Sequence, residues 1–205
     1  MALWSDFYTA LTPELPGVPF PTLDAALLRV ATDFFFRTRA WREWLSPVTV
    51  LANTRTYAIP MPTDSDVVRI EQATIDGAVL PVLSYLEFNS NLSTVDQATP
   101  GVTTIDRKNF ILTMTYVAGQ SVVLQASLVP GIAATGITDA QFAQYSDDIC
   151  AGVKARLMLM ENMPWSHPQL ALKSEAEYES AVAQRNIEAW RGQTNLTPRT
   201  RVRWL

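Results

Sequence analysis

By residue type, one stretch could do covalent chemistry. Pro164-Trp165-Ser166-His167-Pro168 sets the only histidine of the chain beside a serine. A hydroxyl and an imidazole act as nucleophile and base when the imidazole takes the hydroxyl proton and a third group orients the ring. Adjacent residues rarely align that way. No G-x-S-x-G elbow is present and no orienting carboxylate can be picked out. His167 therefore reads as a turn histidine. Cys150, the only cysteine, lies on an apolar helical face and reads as a small core residue.

Two acidic pairs invite a different chemistry. Asp147 and Asp148 are adjacent, and Asp64 and Asp66 are separated by one residue. Paired carboxylates can hold a cation or exchange protons. Neither pair has the spacing of a calcium loop, and both read as solvated helix-start or turn acids. The phosphate-cradling and zinc motifs G-x-G-x-x-G, G-x-x-x-x-G-K-[ST] and H-E-x-x-H are missing. No catalytic residue, metal ligand or cofactor site is assigned, and the chain is read as a non-enzyme.

The segment R-T-R-V-R-W is of another kind. In an extended conformation, alternation puts Arg199, Arg201 and Arg203 on one side and Thr200, Val202 and Trp204 on the other. Such a strand can add to a sheet edge or lie in an acidic groove. Large apolar residues gain nothing in water, so this segment is expected to dock on a partner.

The remaining chain must supply the scaffold. Residues 1–21 read as an amphipathic arm, with Trp4, Phe7, Tyr8 and Leu11 on one face, followed by a proline-rich linker. Residues 22–45 read as a helix with Thr22 at its N-cap. Leu23, Leu27, Val30, Phe34, Thr38, Trp41 and Leu45 recur at helical spacing, with Trp44 widening the stripe. From 48 to 130 alternation replaces the helical period. Val48–Leu51, Thr56–Ile59, Val67–Ile75, Val79–Phe88, Val102–Ile105, Phe110–Val117 and Ser121–Leu128 read as strands, and Asp76-Gly77 as a hairpin turn. Residues 89–101 read as a long loop, with a hairpin tip at 106–109.

Thr138 or Asp139 then caps a helix carrying Phe142, Tyr145, Ile149, Val153 and Met160. A last helix is marked by Leu170, Leu172, Tyr178, Val182, Ile187 and Trp190, with Gly192 as its C-terminal stop. The pattern predicts an α+β fold. A helical core from both chain ends, 1–47 and 131–192, holds an inserted antiparallel β-sandwich or barrel-like subdomain, 48–130, with an extended docking tail, 193–205.

Totals narrow the function classes. At 205 residues, with 48% hydrophobic and 18% charged residues, the chain can bury a sizeable core. A net charge of −4 gives no basic footprint for free nucleic-acid binding. One Cys excludes an internal disulfide, argues with the single His against zinc, and fits a reducing compartment. The start lacks a basic region and is not read as a signal peptide, and no apolar run is long enough to span a membrane. Six Trp is a high count, and surplus aromatics favour subunit interfaces.

Three stretches together resemble the head-to-tail connector, or adaptor, proteins of tailed phages, of the tail tubular protein A type found in short-tailed phages. They are ELPGVPFPTLDAALLRVATDFFFRTRAWRE, TRTYAIPMPTDSDVVRIEQATIDGAVL and GITDAQFAQYSDDICAGVKARLMLMENMPWSHPQLA. The resemblance runs in order over nearly the whole chain, and its motifs are positional rather than catalytic. It implies a virion neck or tail protein assembled in the host cytoplasm. Its copies form a ring, typically twelve-fold, between the portal and the downstream nozzle protein. DNA passes through that ring without specific binding. By the same analogy Arg199, Arg201, Arg203 and Trp204 are candidates for portal docking, and Trp41, Trp44, Arg107 and Lys108 for subunit or tail contacts. Mild negative charge suits such a channel, because a Lys- and Arg-lined ring retards DNA. Two other readings stand beside it. One is a β-sandwich module recognising a glycan or capsid surface through 89–101, and the other is a hydrolase using His167 with Ser166 or a nearby acid.

Overall fold

The computed structural model describes residues 1–92 and 100–191. The fold is mixed α+β, with antiparallel sheets that do not close into a barrel. The chain divides into two compact units. The first comprises Met1–Ala40 and Thr135–Leu205, the second Trp41–Ala134.

In the first unit, helices from both ends of the chain pack together. Strand β1 (Ala2–Leu3) leads into a 3-10 turn, Trp4–Phe7, and a single helical turn α1 (Tyr8–Leu11). Trp4, Phe7, Leu11 and Leu15 are buried, so this arm is part of the core. Helix α2 spans Phe20–Thr38. It starts two residues before Thr22, because Pro19 caps it in an extended conformation and Pro21 fits the first turn, where no amide donor is needed. It ends at Arg39, whose φ of 52° is left-handed and whose amide closes on the Phe35 carbonyl at 2.9 Å.

The expected continuation to Leu45 is therefore wrong. Residues Arg42–Trp44 form a strand instead, because Trp41 and Leu45 alternate inward as well as they repeat helically. Two residues recurring at a spacing of four satisfy both patterns, and pairing with a long strand decides between them.

After the second unit the chain returns through β10 (Gly136–Ile137), which pairs antiparallel with β1. Helix α4 spans Asp139–Met158. Its N-cap is Thr138, whose hydroxyl accepts the Gln141 amide at 3.2 Å while the Gln141 side chain accepts the Thr138 amide at 3.1 Å. Helix α5 spans Pro168–Arg191. Its inner face is Ala171, Ser174, Tyr178 and Val182, whereas Leu170, Leu172, Ile187 and Trp190 are exposed. The apolar residues that mark this helix in the sequence thus only partly mark its packing face. Small residues let it lie close to α4. Gly152 of α4 is the tightest point. A Cβ there would come within 2.6 Å of Val30 and 2.8 Å of the Tyr178 ring.

The second unit is a sheet subdomain. Its larger sheet joins β2 (Arg42–Trp44), β3 (Val48–Thr49), β5 (Ser65–Ile75), β6 (Ala78–Leu80) and β9 (Ser121–Pro130). Strand β9 is central. Val122, Leu124, Ala126 and Leu128 are all buried on it, and β5 lies along its whole length with two bulges. Asp76 and Gly77 both take positive φ and turn β5 into β6. The Asp76 carboxylate accepts the Ser121 amide at 2.8 Å and the Gln120 amide nitrogen at 2.9 Å, which ties the turn to β9.

The smaller sheet has the order β4 (Thr56–Ala58), β8 (Asn109–Leu112), β7 (Val102–Thr104). The strand expected over Val79–Phe88 stops at Leu80, and Tyr85–Leu92 is instead helix α3. Pro81 cannot donate to a ladder. Ser84 and Glu87 then form a capping box, with the Ser84 amide donating to the Glu87 carboxylate at 2.8 Å. The S-x-x-E spacing outweighs the apolar alternation. Part of the expected loop 89–101 is therefore helical. Its residues 93–99 lie outside the described residues.

Candidate functional site

The serine–histidine stretch is a structural turn between α4 and α5. The His167 amide donates to the Met158 carbonyl at 2.9 Å, and the His167 carbonyl accepts the Ala171 amide at 3.0 Å, starting α5. The His167 side chain is exposed. Cys150 is buried, and desolvation pushes its thiol up to about 12. Asp147 and Asp148 are not at a helix start: both lie mid-way along α4. Asp148 pairs with the Arg185 guanidinium at 2.9 Å, and Arg185 also reaches Glu188 at 2.9 Å. Asp64 takes a positive φ in a turn, and its carbonyl accepts the Gly131 amide at 2.9 Å. Among the described residues no group of three or more His, Cys, Asp or Glu is placed to hold a metal ion.

The four candidate contact residues of the second unit are placed differently. Trp41 is buried, and its indole nitrogen donates to Glu43 at 2.8 Å. Trp44, on β2, is 52% exposed. Arg107 and Lys108 are exposed at the tip of the β7–β8 hairpin. Arg107 takes φ 60° there. Asp106 shapes this tip by accepting the Asn109 amide and side-chain nitrogen, each at 2.7 Å, and the Lys108 amide at 2.9 Å, and those bonds, Asn109's above all, hold its carboxyl below the usual range. Gly192, Arg199, Arg201, Arg203 and Trp204 lie outside the described residues.

Sequence reasoning missed a cleft of about 630 Å³ in the first unit, formed by α2, α4 and α5. Arg29, Asp33 and Arg37 come from α2, Gly152 and Arg156 from α4, and Glu175, Tyr178 and Glu179 from α5. The signal is a four-residue period, R-x-x-x-D-x-x-x-R, which puts three charges on one helical stripe. The Arg37 guanidinium makes two hydrogen bonds to the Glu179 carboxylate, one of them 2.7 Å, and a longer contact of 3.4 Å to Asp33. This pairing holds the Glu179 carboxyl below its ordinary value. The Tyr178 hydroxyl donates to Asp33 at 2.9 Å. Burial, followed by the charge of Asp33, pushes Tyr178 well above the ordinary tyrosine range.

Several other groups share that upward shift. Desolvation raises Tyr145 and Tyr116, and desolvation together with Asp24 pushes Tyr8 up to about 12. Each keeps its proton in the folded chain to higher pH than in the unfolded chain. The stability they supply is complete below the ordinary tyrosine value of 10.0 and is lost as pH rises towards the folded values. The expected result is alkaline unfolding that begins near pH 10.0, with tyrosinate absorbance and loss of helical circular dichroism rising in one step. Tyrosinate appearing independently, with helix retained, would contradict it.

A scan against protein-family models and a search of curated proteins found no match to this chain. Among the described residues no helix is long and apolar enough to cross a membrane.

Proposed function

We propose that this chain is a non-enzymatic virion protein, one subunit of an adaptor ring that joins the portal to the tail nozzle and surrounds the DNA passage. The reading rests on the resemblance of its three long stretches to head-to-tail connectors. The observation in its support is that several large apolar side chains of each unit are left exposed outside its own core. In the second unit Trp44, Val79, Leu86, Ile105 and Val117 are exposed, and in the first Phe36, Leu172, Ile187 and Trp190. At roughly 25 cal/mol per Å² of apolar surface removed from water, such side chains stabilise an assembly far more than a monomer. A net charge of −4 favours a passage that does not grip phosphate.

In this proposal Arg199, Arg201, Arg203 and Trp204 dock on the portal, while Trp44 and the Arg107–Lys108 tip face neighbouring copies or the nozzle. Binding to the cognate portal should be lost when residues 196–205 are deleted. Full portal capture by the shortened chain would remove the docking role from this segment.

A further inference from the structure

Helix α5 carries a second stripe that its packing in the first unit does not use. Leu172, Ala176, Ser180, Ala183, Ile187 and Trp190 follow one another at spacings of four, four, three, four and three, so they share one face. At 3.6 residues per turn, that face lies across the helix from the buried face of Ala171, Ser174, Tyr178 and Val182. All six are exposed, Leu172 at 62% and Trp190 at 66%. The stripe is uneven along its length. Its second half ends in the bulky Ile187 and Trp190. Its first half borders a shallow, open hollow of about 490 Å³ lined by Lys173, Ala176, Glu177, Ser180, Ala181 and Gln184. The Arg39 guanidinium lies 4.3 Å from the centre of the Trp190 ring, which fixes the ring while most of it stays exposed. Charge is uneven too. Lys173 against Glu175, Glu177 and Glu179 leaves residues 168–179 at −2, and Arg185 and Arg191 against Glu188 leave 180–191 at +1.

We infer that this stripe is the contact for a second copy of the chain, paired antiparallel along α5 about a two-fold axis at Ala183. In that register Trp190 of each copy enters the hollow at Ala176 of the other, Ile187 meets Ser180, and the two Ala183 residues meet at the crossing. Small residues there let the helix axes approach closely. A parallel pair would set Trp190 against Trp190 and leave both hollows empty. The antiparallel pair also lays the −2 half of each helix along the +1 half of the other, with Glu177 of one copy near Arg191 of the second. Knob and hollow lie on the same surface of one chain, as a two-fold contact requires. Trp190 is held in place beforehand by Arg39, so little ordering cost falls on its docking. A contact along one helix is small, and the pair is correspondingly weak, with a Kd of about 10–100 μM. Such a pair closes on itself and adds no further copies. It is a state of the chain away from any ring, and the inference does not rest on the adaptor reading.

The test is sedimentation velocity of the full chain alone, over a concentration series that spans this Kd, with cysteine cross-linking as a second readout. The unaltered chain should pass from single copies to pairs. Ser180→Arg fills the hollow from an exposed position and should raise the Kd about tenfold or more, with helical circular dichroism unchanged. Leu170→Gln, exposed on α5 but off the stripe, should leave the Kd as it is. Under mild oxidation the Ala183→Cys chain should link to its own copy. The Ala176→Cys chain should not, because its neighbour in the second copy is Trp190. Cys150 is buried and should give no link in the unaltered chain. Any one of four results would overturn the inference: single copies throughout the series, pairing by Ser180→Arg equal to that of the unaltered chain, equal weakening by Leu170→Gln, or linking by Ala176→Cys as ready as by Ala183→Cys. No arm involves the portal, so these results stand or fall apart from the adaptor reading.

Discussion

Replacing Gly136 by alanine is expected to lower the melting temperature by about 10 °C and release the N-terminal arm. The β1–β10 pair is the reason. A Cβ at position 136 would lie 1.9 Å from the Ala2 carbonyl oxygen and 2.9 Å from the Leu3 Cα. Both neighbours are backbone, so no side chain can swing away. The strands must part, and with them go the pairing of Ala2 with Ile137 and the 3.0 Å bond from the Trp4 amide to Thr135. The Met1 ammonium also loses Asp139, which it meets at 2.8 Å. Each lost backbone hydrogen bond costs about 1 kcal/mol, and partial exposure of Trp4 costs about as much again. A total near 3 kcal/mol in a chain of this size gives the stated shift. Thermal melting followed by circular dichroism, with limited proteolysis of the first twenty or so residues, reads both effects. An unshifted melt with the arm still protected would mean that the pair contributes nothing.

The second large effect belongs to Phe34. It is fully buried and touches aromatic side chains from all three long helices. Phe35 is met edge-on at 5.4 Å, Tyr145 at 5.3 Å and Tyr178 at 6.4 Å between ring centroids. Truncation removes the anchor that α2 presents to α4 and α5. Phe34→Ala should cost about 3–5 kcal/mol, the usual penalty for emptying a well-packed aromatic site. Urea denaturation of the helical unit measures it. A loss below about 1 kcal/mol would show that the helices close over the gap, which the tight approach at Gly152 argues against.

How much of this fold is legible in the sequence depends on how local each signal is. Thr138 and the Asp76-Gly77 turn carry their conformations locally, in a capping box and in a pair of positive φ angles, so both are legible. The end of α2 is not. Trp41 and Leu45 continue its period, yet strand pairing with β9 claims this segment, and that partner lies far away in the chain. Residues 85–92 mislead for a different reason. A short apolar alternation there masks the Ser84–Glu87 capping signal.

The cleft is illegible because it depends on three helices meeting. Arg29, Asp33 and Arg37 look like ordinary solvated charges until Glu179 and Tyr178 arrive from α5. The serine–histidine stretch shows the converse. Its residue types promise chemistry, and its backbone serves to end one helix and begin the next.

The central claim, that this chain acts as an adaptor ring, is tested most directly by electron microscopy of the purified chain mixed with its cognate portal. The account predicts a closed ring of about twelve copies, seated coaxially on the portal around an open passage. An undecorated portal beside free single copies of the chain, at concentrations well above those of assembly, would contradict it.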